Sequence, residues 1–199
     1  MAVSQVAVEI TTTSQSQKAW QPSGTGPKIT MNGNPFPQPR GTNPGFSSGM
    51  QVAVLDPTMD ITSPAAIRSN VYLMLPDVNG SWMSYYQGMW NRLASQIYVS
   101  GNTLQQIVFV ATFGFDVNAA PSAEALELLI ELGAGPQLQH WYTSVDVGSQ
   151  SGQWVAFPGN YILIGQPQYG YGEGYEVYQV GGDPVTTSLS ATLTNFGAE

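Results

Sequence analysis

The sequence predicts an α+β domain with mostly antiparallel strands, and three features carry that prediction. Residues 107–111, Ile-Val-Phe-Val-Ala, form a continuous apolar run that is short and rich in β-branched and aromatic residues. Such a run reads as a strand covered on both faces. An amphipathic helix follows it, with Leu126, Leu129, Ile130 and Leu132 as its apolar face and Gly133 as its stop. Several further short strands are separated by turns of the Pro, Gly and Asn type. A strand feeding a helix also suits a nucleotide-binding α/β protein. The chain has no phosphate loop, and its strands look antiparallel, which removes that reading.

Taken in order, Val6, Val8 and Ile10 alternate with polar residues, the period-two pattern of a half-buried strand. Residues 12–27 are polar and read as a loop. Residues 27–31 read as a short strand, ended by a turn at Asn32-Gly33-Asn34. Between 35 and 49, four prolines and three glycines leave an ordered arm or a linker. A compact strand at 51–55 stops at Asp56-Pro57, and 58–70 is a loop or an edge excursion. A strand at 71–75 closes at Pro76-Asp77. Trp82, Tyr86, Met89, Leu93 and Ile97 then share one face of a helix that begins near Ser81 and ends before Gly101.

After the central strand comes a polar turn with Asp116 and Asn118. Pro121 suits the first turn of the next helix, where its missing N–H costs nothing, and Glu124 and Glu127 meet the positive end of the dipole. Pro136 opens a second short helix with Leu138, Trp141 and Tyr142. Strands at 153–157 and 161–165 flank Pro158-Gly159-Asn160, read as a tight bend. A Gly/Tyr-rich loop at 166–176 precedes a strand at 177–180 and a turn at Gly181-Gly182-Asp183-Pro184. The tail alternates Leu189, Ala191 and Leu193 with Ser and Thr, a last strand whose partner is the first strand or another subunit.

Charge narrows the function. Only 9% of the 199 residues are Asp, Glu, Lys or Arg, and hydrophobic residues make up 42%. An ordinary soluble domain carries about 25% charged residues. The net charge is −8, and Lys18, Lys28, Arg40, Arg68 and Arg92 are scattered. No basic stripe exists to meet a phosphate backbone or an anionic bilayer, so neither nucleic-acid binding nor membrane insertion is expected. No run approaches the roughly 20 apolar residues that span a bilayer. The absence of cysteine removes disulfides, thiolate metal sites and cysteine nucleophiles. No secretory signal is evident at the N-terminus.

Catalytic chemistry finds few candidates. His140 is the only histidine and lies far from any nucleophile-elbow pattern, so a structural or surface role is expected. Glu124, Glu127 and Glu131 share a helix face, and a solvated face is expected there. Asp56, Asp60 and Asp77 lack the spacing of a calcium loop. No catalytic residue, metal or cofactor is expected. The candidate binding residues are Tyr169, Tyr171 and Tyr175, because tyrosines on a glycine-rich loop offer large contact area at low entropic cost. A loop folded back over its own sheet is the alternative. Trp82, Trp90, Trp141 and Trp154 are expected in the core.

The order of elements resembles the interleukin-like EMT inducer (PANDER-like) domain family. Gly26-Pro27-Lys28-Ile29 is similar to its Gly-Pro-Lys-Ile segment, and 49–55 to its early strand. Residues 107–113 are similar to its Leu-Val-Phe-Val-Ala-Ser-Tyr strand, the stretch from Glu124 to Gly133 to its Glu…Leu-Gly helix, and 161–165 to its closing strand. The resemblance implies two twisted β-sheets lined by short helices, without catalytic activity, over a core at 24–166. Residues 1–23 are then an N-terminal strand or arm, and 167–199 the Gly/Tyr loop and C-terminal strand. The family includes secreted signalling proteins and a sugar-binding stem domain. Its disulfide cysteines are absent, and Pro158-Gly159-Asn160-Tyr161 stands in place of its Arg-Asp-(Ser/Thr)-Trp.

Residues 12–27, 35–49 and 181–199 hold few apolar groups of their own, so they are expected to pair with neighbours by strand addition. The function expected is a non-enzymatic structural subunit of a large assembly, a virion or phage-tail component or an extracellular surface filament. Its partners would be copies of itself or other structural subunits. The alternative is a glycan-binding module that uses the Gly/Tyr loop.

Overall fold

The computed structural model describes residues 5–18, 21–39, 48–74, 82–97, 106–116, 119, 121–150, 158–167 and 169–194. In chain order the strands are β1 (Gln5–Lys18), β2 (Gln21–Ser23), β3 (Lys28–Met31), β4 (Asn34–Pro35), β5 (Gly49–Leu55), β6 (Ile67–Met74), β7 (Ile107–Phe113), β8 (Phe115–Asp116), β9 (Pro158–Gly165), β10 (Tyr175–Val180) and β11 (Val185–Thr194). The helices are α1 (Trp82–Asn91), α2 (Leu93–Ile97), α3 (Ala123–Glu131) and α4 (Pro136–Gln150). One sheet runs β11-β1-β3-β4 with β2 on β1, and the other runs β10-β9-β7-β5-β6 with β8 on β9. The pairings within both sheets are antiparallel.

These elements stack in three layers. The sheet built on β7 lies in the middle, and its side chains alternate between two cores. Met50, Val52, Val108, Val110, Tyr161 and Leu163 pack with the helices, through Met89, Trp90, Leu93, Leu129, Leu138 and Trp141. Ala53, Leu55, Phe109, Ala111, Ile162 and Ile164 pack with the first sheet, through Val6, Val8, Ile10, Ile29, Met31 and Leu193. Every residue of β5, β7 and β9 is buried. Continuous apolar runs usually mark parallel sheets. Here they arise because an antiparallel sheet is covered on both sides.

The first strand is longer than its apolar residues suggest. Residues 12–18, read from composition as loop, continue β1 to Lys18, and β11 pairs with β1 from Gln5↔Thr194 to Ser14↔Val185. The terminal segments thus pair with each other inside the chain, which replaces the expected pairing with neighbours over these residues. Hydrogen bonds supply what apolar groups do not. Thr12 Oγ1 donates to Thr112 O across the layers (2.6 Å). Ser14 Oγ accepts from Phe115 N (3.2 Å) and shares its proton between Gly159 O (3.1 Å) and Asn160 Oδ1. Asn160 Nδ2 donates to Val185 O (3.3 Å). Thr12, Ser14 and Asn160 are all buried, and each carries partners, as buried polar groups must.

Other differences have local causes. Pro158-Gly159-Asn160 is no bend: it opens β9, with Gly159 opposite both Phe115 and Val180. Pro158 is tolerated as the first residue of a strand. The strand expected at 153–157 lies outside the described residues, as do Pro76, Asp77, Gly101, Asn118 and the side chains of Trp82, Tyr86 and Trp154. The strand read at 71–75 begins earlier, at Ile67, where Arg68 bonds Asp56 and Asn70 Nδ2 donates to Pro37 O (2.7 Å). The helix expected as one piece is split into α1 and α2 at Arg92, whose guanidinium donates to Met74 O (3.0 Å).

In α3 the buried positions are Ala125, Leu128 and Leu129, with Leu132 just beyond, while Leu126 and Ile130 are half-buried. A helix with leucine on most sides leaves its phase to the glutamates, which take the solvent side. Ser122 caps it by accepting from Ala125 N (3.3 Å), and Pro121 precedes the cap instead of lying in the first turn. The turn at Asn32-Gly33 forms as expected, with φ of 49° and 76°. α4 is longer than expected, reaching Gln150.

Replacing Ser14 by Ala leaves Phe115 N unpaired and removes a donor from Gly159 O and Asn160. The expected loss is about 2 kcal/mol, within the range for a stranded buried group. Urea titration of the variant should show a lower midpoint at unchanged slope.

Candidate interaction site

The Gly/Tyr loop is stitched by its backbone to the corner between α3 and α4. Gln166 N donates to Leu132 O (3.2 Å), Gly172 N to Ala134 O (3.1 Å) and Gly174 N to Gly133 O (2.8 Å). Glycine permits this closeness. A Cβ on Gly165 would lie 1.9 Å from Leu132 O, and Gly133 turns the corner at φ 98°. Within the loop, Gly170 N donates to Glu173 Oε2 (2.6 Å) and Tyr169 N to Gln166 O (3.1 Å). The segment is folded over its own domain.

That arrangement separates the three tyrosines in role. Tyr169 is half-buried and bridges to Leu132, and burial together with Tyr175 and Glu173 pushes its phenol upward in pKa. Tyr175 is exposed, and its hydroxyl reaches Thr192 O on β11 at a long 3.4 Å. Tyr171 is 55% exposed, the most among the described large hydrophobic residues. Of the three, Tyr171 and Tyr175 are the exposed ones.

Beneath the loop lies a residue the sequence reading passed over. Glu176 Oε1 accepts from Gly135 N (2.9 Å) and Gln137 N (2.8 Å), and Oε2 accepts from Leu138 N (3.1 Å) and Tyr161 OH (2.8 Å). The carboxylate caps α4 from a distant strand, where the dipole favours negative charge. A signal for it existed: a helix that begins at Pro136 without a nearby Ser, Thr, Asp or Asn needs a cap from elsewhere. Tyr161 is fully buried against Trp141, which stacks on Tyr178 at 5.2 Å and meets Trp90 at 5.9 Å. Trp90 and Trp141 fill the core, as expected.

The remaining candidates do not converge. His140 is exposed, its ring 6.0 Å from Tyr178. Glu124, Glu127 and Glu131 are exposed along a groove of about 220 Å³ that Trp90, Ala94 and Leu128 also line. Asp56 Oδ1 accepts from Thr58 N (2.9 Å) and Thr58 Oγ1 (2.6 Å), and its other oxygen pairs with Arg68. The Thr58 hydroxyl leads in holding the Asp56 carboxyl below its usual range, aided by Thr58 N–H and Arg68 against the opposing effect of burial. Asp60 is held the same way by Thr62 and, like Asp56, closes a local turn.

A larger surface comes from the first sheet. Its outer face carries Thr11 and Thr13 on β1, Thr30 on β3, and Thr186, Ser188, Ser190 and Thr192 on β11. Thr13 lies opposite Thr186 and Thr11 opposite Ser188, whose hydroxyls meet at 3.1 Å. Glu9 and Lys28, opposite in sign, are the charged residues of this face in the paired segments 5–14, 28–31 and 185–194. Sequence reasoning missed it because 12–27 reads as loop. The period-two hydroxyls at 11 and 13, and at 186 to 192, were the available signal.

Replacing Glu176 by Ala strands three N–H groups and the Tyr161 hydroxyl, and about 2–3 kcal/mol of stability should go with it, measured by thermal or chemical unfolding. Alkali should act on the same place. Burial, with Glu176 nearby, holds the Tyr161 phenol well above its ordinary pKa. A folded pKa raised above the unfolded value, about 10 for tyrosine, gives a contribution that is complete below pH ~10 and is lost as pH rises beyond it. The unfolding midpoint should fall above pH ~10, and less steeply in Tyr161→Phe.

No protein-family model matches the chain, and no curated protein matches it.

Proposed function

We propose that this chain is a non-enzymatic structural or interaction subunit built into a larger protein assembly, of the kind that makes up a virion, a phage tail or a surface filament. The observation that carries this reading is the outer face of the first sheet. In a chain of net charge −8, this face is lined by neutral hydroxyls over the paired segments 5–14, 28–31 and 185–194, with one acid and one base there. Such a surface is covered by a neighbour at little cost in charge desolvation. The acids and the serine and threonine groups best placed for chemistry point the same way. Glu176, Asp56, Ser14 and Thr112 are spent on holding the fold.

The resemblance to interleukin-like EMT inducer domains supports a non-catalytic role as well. Sedimentation velocity from micromolar to millimolar concentration should show association beyond a monomer. Replacing both Thr11 and Thr13 by Lys should limit it, by placing like charges on a face meant to be covered. A wild-type protein that stays monomeric throughout, alone and with the products of adjacent genes, would overturn the reading.

Exposure of Tyr171 on a backbone-pinned loop favours a second reading, a glycan-binding module. Glycan-array binding that Tyr171→Ala abolishes would support it, and binding indifferent to that change removes it.

A further inference from the structure

β10 and β11 are the end strands of their sheets, and among the described residues the outer edge of β10 meets the start of α4. Tyr178 N donates toward Gln137 Oε1 (3.4 Å) at the start of α4. The outer edge of β11 is different. On β1, Ala7 N and O both bond Asn32, on the side away from β11. Ala7 lies opposite Thr192, so the backbone groups of Thr192 also point away from β1. The Tyr175 hydroxyl meets Thr192 O from that outer side, as this geometry requires. By alternation, Thr186, Ser188 and Ser190 aim their N–H and C=O groups outward too.

Natural edge strands are guarded by Lys, inward charge, proline or bulges. Residues 185–194 contain no charged residue and no proline, and their pairing with β1 is unbroken. We propose that β11 is a self-association edge, where a second copy adds its own β11 antiparallel about a twofold axis through Leu189, so that the first sheet continues across two subunits. This rests on the assembly reading above and names the contact that begins the assembly.

The occupant follows from the strand's own pattern, which is symmetric about Leu189. Outward positions pair as Thr186 with Thr192 of the second copy and Ser188 with Ser190, each exchanging backbone hydrogen bonds. Inner-face positions then meet as Val185 with Leu193, Thr187 with Ala191, and Leu189 with Leu189. Val185, Ala191 and Leu193 are buried, whereas Leu189 and the nearby core residue Val177 are only partly covered. The pairing therefore covers the apolar seam that the single chain leaves part-open, and keeps the hydroxyls of Thr186, Ser188, Ser190 and Thr192 on the outer face. An isologous contact needs such self-complementarity.

Charge points to the same place. Two copies of net charge −8 repel in general, so contact belongs where acids are remote. The nearest acid of this face, Glu9, sits opposite Ser190 on β1. The two Glu9 residues would lie at least three strand spacings apart, about 14 Å, beyond the roughly 8–10 Å screening length of physiological salt. Among the described residues, the long Tyr175–Thr192 bond is the contact to be exchanged.

The chain has no cysteine, so a single introduced thiol reports the register. Leu189→Cys places two thiols across a non-hydrogen-bonded pair, where α-carbons are about 4.5 Å apart and a disulfide can close. Mild oxidation of the full-length variant should give a covalent dimer on a non-reducing gel. Thr192→Cys, displaced from the axis, should give at least about tenfold less. Ser190→Pro removes an outward N–H that the chain's own ladder does not use. It should leave the far-ultraviolet circular dichroism unchanged and raise the dimer dissociation constant at least about tenfold, a difference of roughly 1.4 kcal/mol. Equal cross-linking of the two cysteine variants, or dimerisation indifferent to Ser190→Pro in a wild-type background that still associates, overturns the edge contact and leaves the assembly reading standing. A wild-type protein monomeric at every concentration overturns both.

Discussion

The constraint on which this structure depends is that β5, β7 and β9 have no wet face. A sheet whose central strands are apolar on both sides must be covered twice, and the chain supplies the covers from different places. Helices α1 to α4, inserted between strands of the middle sheet, take one side. The two ends of the chain, β1 and β11, meet to form most of the cover on the other. Removing either cover would expose Phe109 and its neighbours or Val108 and its neighbours, at about 1.5–3 kcal/mol per large side chain. The antiparallel pairing of the termini is thus part of the core.

A chain with so little charge fastens these layers mainly with neutral hydrogen bonds. Thr12, Ser14, Thr112 and Asn160 join the two sheets near the end of β1 where apolar residues give out. Each of these groups is inside, and each finds a partner, which makes the arrangement specific in register as well as stabilising. The charged exception, Glu176, satisfies the start of α4 and the Tyr161 hydroxyl at once, tying the helical layer to β10 and β9. One carboxylate thereby links three elements.

The proposed assembly role rests on surface features. Among the described residues, the distinctive external features are a neutral hydroxyl face, an edge strand without charge or proline, and an exposed tyrosine on a pinned loop. The first two belong to the same sheet, and the proposed contact with protein neighbours rests on them. On the proposed reading, a face with few charges costs little desolvation when a neighbour covers it.

Much of the architecture was legible in the residues: the doubly covered strand at 107–113, the alternation of Val6, Val8 and Ile10, the Asn32-Gly33 turn, and the alternating tail. These are local patterns, set by the two-residue repeat of strands and the stop signals of glycine and proline. What the residues alone left undecided were matters of partnership. Thr12, Ser14 and Asn160 look like loop residues until Thr112, Phe115 and Val185 are placed beside them. The leucines of α3 select no face until the sheet lies beneath them, and Glu176 looks like a solvated acid until α4 begins against it. Tyr169 reads as a loop residue until its backbone is bridged to Leu132. Hydrophobic periodicity is written along the chain, but the satisfaction of a buried polar group depends on segments far apart in sequence, and only the packed layers brought them together.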